Sequence, residues 1–185
     1  MLFRSSARGH LAGQTVLKIM RYFPLKGGTS CYCETIRHDA LMRICARVLD
    51  ELQWVGFADF DIMEEKDTGE LKIIEINPRI PASIHGAYVS GVNFPDIIVR
   101  DAMGESVEQS DYHPGESLRF MGLDFMWFLF SADRFRFRPS WFRFFGRNVH
   151  YQDGSFKDPL PMLMGCVSGI LKYLHPVFRK SKLEA

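Results

Sequence analysis

Two stretches of the sequence decide the fold: Val55-Gly56-Phe57-Ala58-Asp59-Phe60-Asp61-Ile62-Met63 and Leu71-Lys72-Ile73-Ile74-Glu75-Ile76-Asn77. Both are rich in β-branched and aromatic residues. The charged segment Glu64–Glu70 between them contains Asp67-Thr68-Gly69, which is typical of a turn. Pro78 ends the second stretch because proline has no amide hydrogen to donate to a neighbouring strand. The sequence therefore predicts an antiparallel hairpin of two strands, Val55–Met63 and Leu71–Asn77.

Acidic side chains lie where they would meet across this hairpin. Alternate residues of a strand share a face, so Asp59 and Asp61 point to the same side of the first strand. The same alternation predicts a common face in the second strand for Leu71, Ile73, Glu75 and Asn77. A turn near Asp67 places Glu75 opposite Asp59 or Asp61, and directly opposed like charges destabilise a sheet by up to ~1 kcal/mol. Either water or a bound cation must therefore offset the repulsion.

A divalent cation would neutralise this face. Mg²⁺ prefers oxygen ligands and takes one or two carboxylates together with water and phosphate oxygens. Asp59, Glu75 and Asn77 would supply such oxygens, with Asp61 as the rival to Asp59. Arg79, two residues past Asn77, would reach the same place and hold a phosphate or acyl-phosphate oxygen through paired hydrogen bonds. The alternative is a solvated face whose acids meet only water.

The order of these residues resembles the metal-binding hairpin of the ATP-grasp superfamily. Phe57-Ala58-Asp59-Phe60 followed by Glu75-Ile76-Asn77-Pro78-Arg79 is similar to the strings of carbamoyl-phosphate synthetase and, with a small change, biotin carboxylase. The resemblance implies that Asp59, Glu75 and Asn77 bind Mg²⁺ (or Mn²⁺) beside ATP. It also implies that Arg79 is the catalytic residue that contacts phosphate and the reacting intermediate.

The similarity extends over roughly residues 10 to 104. Gly27-Gly28-Thr29-Ser30 resembles the glycine-bearing segment that leads into the helix before the hairpin, and Gly91-Val92-Asn93-Phe94-Pro95 resembles the step into the helix after it. The backbone amides of Gly27 and Gly28 are candidates to bind a phosphate of the nucleotide or a substrate carboxylate. The alternative for this glycine pair is an ordinary turn.

The resemblance implies an α+β fold, in which an antiparallel sheet with the hairpin at its centre packs against helices. Residues 1–104 would form the C-terminal part of an ATP-grasp domain, and residues 105–185 would form a mostly helical C-terminal appendage. In the family, the nucleotide lies between two α+β subdomains, and the lysine-bearing N-terminal one has no counterpart in this sequence. We therefore expect a preceding half in the complete enzyme, and we expect the isolated chain to be inactive.

The spacing of apolar residues and the positions of cap and turn residues predict the other elements. Apolar residues at spacings of three and four predict a helix over Arg37–Leu52, with Thr35 as its cap. The segment His10–Phe23 predicts one strand. Its Lys18 and Arg21 would contact an anion if they face the cleft, but the simpler interpretation is that they line a solvated edge. The remaining segments are predicted as a polar stretch at Thr29–Thr35, a helix at Phe94–Met103 closed by Gly104, an apolar segment at Leu118–Phe130 and a final helix at Leu160–Leu174.

Composition excludes several classes of protein. The 185 residues carry 23 basic and 22 acidic side chains, and this balance predicts no global field for nucleic acid or membranes. The sequence contains no run of ~18 apolar residues, so it predicts no membrane-spanning helix. Four cysteines are too few for a disulfide scaffold and predict reduced thiols in the cytoplasm. Cys31-x-Cys33 lacks a second Cys or His pair at zinc spacing, so it is not interpreted as a metal site.

One segment interleaves arginines with aromatic residues. Arg134-Phe135-Arg136-Phe137-Arg138 continues to Trp141, Arg143 and Arg147. Such a pattern suits a membrane interface or single-stranded nucleic acid. It equally suits a segment that buries its rings while the arginines reach water. The balanced net charge favours packing.

The implied reaction is ATP-dependent ligation. A carboxylate would attack the γ-phosphate of ATP, and an amine or related nucleophile would capture the acyl phosphate, giving an amide-type bond, ADP and phosphate. The expected partners are a small-molecule carboxylate and an amine-type acceptor, with no nucleic acid. The alternative is a non-catalytic ATP-grasp remnant, or a membrane- or partner-binding module built on the aromatic–basic segment.

Overall fold

The computed structural model describes residues 1–4, 9–155 and 157–174, and it confirms the predicted α+β class. The described residues form strands and helices in mixed order. The strands are β1 Leu2–Arg4, β2 Leu11–Gln14, β3 Leu17–Phe23, β4 Thr29–Thr35, β5 Gly56–Glu64, β6 Leu71–Asn77, β7 Ser117–Arg119 and β8 Val149–Tyr151. The helices are α1 Asp39–Glu51, α2 Ile84–Val89, α3 Phe94–Ala102, α4 Met121–Phe130 and α5 Leu160–Leu174.

The chain divides into two compact units. The first unit combines Met1–Val16 with Thr35–Pro114, and the second combines Leu17–Glu34 with the chain from Gly115 onwards. This division crosses the expected boundary at residue 104. The reason is strand pairing, because β4 pairs antiparallel with β7, which places Cys33 opposite Leu118. The β3–β4 hairpin thus belongs to the same unit as the C-terminal elements.

The first unit contains a four-stranded sheet in the order β2-β1-β5-β6. β1 pairs antiparallel with both β2 and β5, and β5 pairs antiparallel with β6. Among the described residues β6 is therefore an edge strand, so the hairpin does not lie at the centre of the sheet as expected. Phe94, fully buried at the start of α3, meets the ring of Phe57 edge-on at 5.1 Å between centroids. This contact packs α3 against the sheet.

Helix α1 begins two residues later than predicted. His38 caps it, since its Nδ1 accepts a hydrogen bond from the Leu41 amide at 3.1 Å. The predicted cap Thr35 is wrong: Thr35 ends β4, and its hydroxyl donates to the carbonyl of His113. Leu41, Cys45 and Leu49 are buried on one face of the helix, which confirms the apolar periodicity.

The second unit contains the sheet β3-β4-β7-β8, in which β7 and β8 run parallel. The single strand predicted over His10–Phe23 is wrong, because β2 and β3 are separate strands that belong to different sheets. The predicted polar stretch Thr29–Thr35 is strand β4. Three successive residues, Cys31, Tyr32 and Cys33, are buried there, so both faces of the strand are covered and no alternation marks it in the sequence.

A cluster of buried charges stabilises the second unit. Arg21 and Arg119 flank Asp124, with Nε–Oδ distances of 2.7 Å and 2.5 Å, and all three side chains are fully buried. Arg21 also donates to the carbonyl of Pro139, and Arg119 donates to the carbonyl of Trp141. The solvated edge expected for Arg21 is therefore wrong, whereas Lys18 is exposed.

Helices α4 and α5 pack closely through glycines. A Cβ atom on Gly122 of α4 would lie 3.1 Å from the backbone carbonyl of Gly165 in α5, so a larger residue there requires the two helices to move slightly apart. The same Cβ test on Gly169 gives ordinary contacts, the nearest at 3.5 Å to Met126.

Within the described parts of the chain, no helix combines the length and apolarity needed to cross a bilayer.

The four cysteines are free thiols, of which Cys31, Cys33 and Cys45 are buried. Burial raises the pKa of Cys33 to about 12, and it also raises the pKa of Cys31. These thiols are therefore protonated at neutral pH, and protonated thiols are poor metal ligands and nucleophiles.

Candidate functional site

The β5–β6 hairpin brings four polar side chains to one face of its sheet. Asp59 lies opposite Asn77, and Asp61 lies opposite Glu75. The sequence left both acids open as partners of Glu75, and the register selects Asp61. Because facing residues of an antiparallel pair share a side of the sheet, these two pairs form a continuous patch.

A β-bulge ends this patch. The register shifts after Asp61, so that Ile62 faces Ile73 and Ile74 becomes the additional residue. Ile73 therefore lies on the face opposite Glu75, and the predicted common face of Ile73 and Glu75 is wrong. Ile74 is 61% exposed, in keeping with its unpaired position. Bulges re-aim side chains, and this one confines the acidic pair to the end of the hairpin near Asn77.

The four side chains differ in their exposure to solvent. Asn77 is buried and Asp59 is half-buried, whereas Asp61 and Glu75 are exposed. The amide nitrogen of Asn77 donates to Oδ2 of Asp61 at 3.3 Å. This hydrogen bond orients Asn77 and leaves its side-chain oxygen as the atom that would bind a cation. The patch thus passes from a buried amide at the strand end to exposed carboxylates.

The position of Asp59 favours a neighbouring positive charge. Burial raises the pKa of its carboxyl group, the amino group of Met1 lowers it, Asp61 raises it further, and Arg79 lowers it. The net effect is an elevated pKa, which means that the ionised carboxylate is incompletely compensated by its surroundings. A bound cation would supply that compensation.

The chemistry of the patch suits Mg²⁺ better than a transition metal. Its possible ligands are carboxylate and amide oxygens, which are the ligands that Mg²⁺ takes, and no His or Cys belongs to it. Over the described ranges, no three His, Cys, Asp or Glu side chains converge closely enough to hold a metal by themselves. A cation held here would therefore need further oxygens from phosphate or water, as Mg²⁺ commonly does.

Arg79 lies beyond the end of β6, in the loop that leads to α2. Its side chain is exposed, and its charge lowers the pKa of Asp59. The guanidinium is thus close enough to the patch to interact with an anion bound there. The assignments of Asp59, Glu75, Asn77 and Arg79 as ligands remain predictions.

Gly27 and Gly28 occupy the β3–β4 turn of the second unit. Gly27 has a φ of 125° and donates its amide to the carbonyl of Pro24 at 3.3 Å. A Cβ atom on Gly28 would lie 2.4 Å from the carbonyl carbon of Phe23. The turn itself thus requires both glycines. The turn alone explains both glycines, and their contact with a nucleotide remains a prediction.

Sequence reasoning missed the buried ion cluster and the bulge. Asp124 offered a signal for the first, because an acid inside the apolar segment Leu118–Phe130 needs a buried partner. The bulge had no such signal, since Ile73 and Ile74 are the same residue type and either fits either face. The hydrogen bond from Asn77 to Asp61 follows from the register that the bulge allows.

In a comparison with known protein families, residues 10–122 match the family described as "ATP-grasp in the biosynthetic pathway with Ter operon". The match covers more than half of the chain and includes the whole hairpin, Arg79 and the glycine turn. No curated protein sequence matches the chain. The chain therefore belongs to this ATP-grasp family, whose fold is that of ATP-dependent ligases.

Proposed function

We propose that the β5–β6 hairpin binds Mg²⁺ and the phosphates of ATP in a ligase that activates a carboxylate and joins it to an amine or related nucleophile. The observation that carries the proposal is the pairing of Asp59 with Asn77 and of Asp61 with Glu75, in a chain that belongs to an ATP-grasp family. Four oxygen-bearing side chains on one face need a positive counterpart, and Mg²⁺ bound to a nucleotide provides one.

Asp59, Glu75 and Asn77 are the proposed metal-holding residues. Asp59 is the best placed of the acids, because its half-buried carboxylate gains most from a nearby cation. Glu75 is exposed and would reach towards the nucleotide from the edge strand. Asn77 is already oriented by its hydrogen bond to Asp61, so binding would cost little side-chain entropy there. When bound, Mg²⁺ (or Mn²⁺) would offset negative charge on the phosphates.

Arg79 is the proposed catalytic residue. Its exposed guanidinium lies past the strand end and is free of any ordered carboxylate partner in the described salt bridges. A planar guanidinium donates two parallel hydrogen bonds to a phosphoryl group, and a lysine ammonium does not. Arg79 would thus bind the transferring phosphoryl group and stabilise its developing charge.

The proposed reaction has two steps. A carboxylate oxygen of the substrate attacks the γ-phosphorus, the bond from that phosphorus to the β,γ-bridging oxygen breaks, and ADP leaves. The amine then attacks the carbonyl carbon of the acyl phosphate, the carbon–oxygen bond to phosphate breaks, and the amine loses a proton. The overall products are an amide-type bond, ADP and phosphate. Backbone amides of Gly27 and Gly28 are proposed as secondary phosphate contacts.

A binding experiment tests the metal site. Mn²⁺ binding to the chain, measured by electron paramagnetic resonance with and without ADP, should weaken at least ~10-fold in Glu75→Gln and in Asp59→Asn. Asp67→Asn is the matched control, since this exposed acid lies in the turn of the same hairpin. Equal Mn²⁺ affinity in Glu75→Gln and Asp67→Asn would contradict the proposed site.

A kinetic experiment tests Arg79 and the reaction class. ADP release by the product of the complete gene should require Mg²⁺ and a carboxylate, and hydroxylamine should trap the acyl phosphate as a hydroxamate. Arg79→Lys should lower kcat more than Mn²⁺ affinity, because the charge is kept while the paired hydrogen bonds are lost. ADP release that is independent of any carboxylate would contradict ligation.

A further inference from the structure

Charge is distributed very unevenly along the chain. Ten basic and three acidic residues follow Asp133, whereas thirteen basic and nineteen acidic residues precede Arg134. The small net charge of +1 therefore hides a basic C-terminal part and an acidic remainder. Because the charge is so uneven, the balanced total does not disfavour an anionic partner for the basic C-terminal part.

The basic character is concentrated in the segment Arg134–Arg147, here called the aromatic–arginine surface. It contains five arginines and no acidic residue. Four of those arginines are exposed: Arg136, Arg138, Arg143 and Arg147. Such a segment attracts an anionic surface and has no acidic side chains of its own to compete for the arginines.

The aromatic residues of this surface fall into two groups. Trp141, Phe137 and Phe144 pack with Phe23, Cys31, Met126 and Trp127 in the core of the second unit. Phe135, Phe142 and Phe145 are instead 67%, 56% and 77% exposed. The sequence favours packing for this segment, but only three of its six aromatic rings pack in the core. The other three rings present apolar area to whatever lies outside the unit.

Two of the exposed rings are held in place. Phe135 and Phe142 stack with their centroids 6.4 Å apart, and each meets Phe128 of α4 edge-on, at 5.6 Å and 5.7 Å. The guanidinium of Arg134 lies 5.6 Å from the centroid of Phe135. The rings thus project from a packed base. Binding through rings that are already ordered loses little conformational entropy.

Helix α5 helps to distinguish between the possible anionic partners. Lys172 is its one charged residue, and several aliphatic side chains are more than half exposed: Leu160, Leu163, Met164, Leu171 and Leu174. Bases of single-stranded nucleic acid stack on aromatic rings, but they offer no environment for aliphatic side chains. The hydrocarbon boundary of a bilayer accepts both kinds of side chain.

We propose that the second unit docks peripherally on an anionic lipid bilayer through the aromatic–arginine surface. The rings of Phe135, Phe142 and Phe145 enter the boundary between headgroups and acyl chains, and the neighbouring arginines pair with lipid phosphates and carboxylates. This role is independent of the proposed metal site. It would hold the ligase beside a membrane.

Vesicle flotation tests the proposal. The chain should float with vesicles that contain 70% phosphatidylcholine and 30% phosphatidylserine, and it should remain behind with pure phosphatidylcholine. Combined replacement of Arg136, Arg138 and Arg147 by Gln should lower the partition coefficient on the order of 100-fold, because each arginine near an anionic surface contributes roughly fivefold. Combined replacement of Phe135, Phe142 and Phe145 by Ser should lower binding even where the salt concentration screens charge.

Matched controls lie in the first unit. Arg43 and Arg47 are exposed arginines of α1, and their replacement by Gln should leave vesicle binding unchanged. Ile74, Val99 and Met103 are exposed apolar residues, and their replacement by Ser controls for a general loss of surface apolarity. The proposal fails if both sets of variants reduce flotation equally, or if the chain ignores vesicles and binds a single-stranded oligonucleotide through the same arginines. Circular dichroism verifies that each variant is folded.

Discussion

The two units treat their charged residues in opposite ways. In the second unit, Arg21, Arg119 and Asp124 are completely buried and bonded to one another at 2.7 Å and 2.5 Å. In the first unit, the like-charged Asp61 and Glu75 face each other across two strands, and Asp61 accepts a hydrogen bond from the neutral amide of Asn77. One cluster is internally satisfied, and the other is not.

This contrast separates structural from functional charge. Buried ions are tolerated only when every charge is paired and hydrogen-bonded, so the Arg21–Asp124–Arg119 cluster is explained by folding alone. An exposed pair of like charges on neighbouring strands has no folding advantage, and it is explained by what binds there. Variants in the two places should therefore change stability in opposite directions.

The largest expected effect is at Asp124. Asp124→Ala leaves Arg21 and Arg119 buried without a counter-charge, so it should cost about 3–5 kcal/mol. For a chain of this size, that loss lowers the melting temperature by about 10 °C in a thermal scan. Asp133→Ala, which removes an exposed acid nearby in sequence, is the control and should leave the melting temperature unchanged. A stable Asp124→Ala protein would show that the buried charges are not coupled.

A smaller loss is expected at the α4–α5 contact. Gly122→Ala forces a methyl group towards the backbone of Gly165 at 3.1 Å and should destabilise by about 1–3 kcal/mol. Gly169→Ala meets its nearest neighbour at 3.5 Å, so the better helix propensity of alanine should make it neutral or stabilising. Urea denaturation compares the two. Identical midpoints would mean that the helices are not in close contact.

Stability should increase, by up to ~1 kcal/mol, when the opposed acids are relieved of their repulsion. Glu75→Gln is expected to be slightly more stable than the parent chain in the presence of EDTA. The difference should vanish or reverse with Mg²⁺ and ADP, because the parent gains binding energy that the variant lacks. Urea midpoints under both conditions give the answer. A variant that is less stable without metal would place Glu75 among the structural charges.

The last prediction concerns the reactivity of the thiols in the native protein and involves no change in stability. Because burial raises the pKa of Cys33 to about 12, its reactive thiolate becomes abundant only as the pH approaches that value. At pH 7.5, Ellman's reagent should therefore modify the half-buried Cys166 first, and Cys31, Cys33 and Cys45 only as the protein unfolds. Rapid modification of all four thiols in the native protein would contradict the buried packing of β4.

Local patterns explain which parts of the fold the sequence predicts. The hairpin has a short turn, so its two strands follow from residues that are neighbours in the chain. Helix α1 is likewise predicted within two residues, because its apolar periodicity is local. The pairing of β4 with β7 places Tyr32 opposite Arg119, which is distant in the sequence, and no local sequence pattern predicts such a partner.

The candidate site is predictable in composition and less so in geometry. The residue string ending in Pro78-Arg79 identifies the ligands proposed for phosphate and metal, and the family match includes it. The bulge at Ile74 sets the register that places Asp61 opposite Glu75, and the sequence does not mark it because Ile73 and Ile74 are the same residue type. Burial of Arg21 was unforeseeable without Asp124, which lies 103 residues away.

The interleaving of the two units in sequence has a consequence for biosynthesis and for engineering. When a ribosome has released residues up to Pro114, the first unit is complete, but the hairpin of residues 17–34 still lacks the strand that covers Cys33. Phe23 and Tyr32 of that hairpin stay uncovered until β7 and α4 emerge. A gene truncated between the units would leave it permanently exposed, so an isolated second unit requires fusion of residues 17–34 to the later segment.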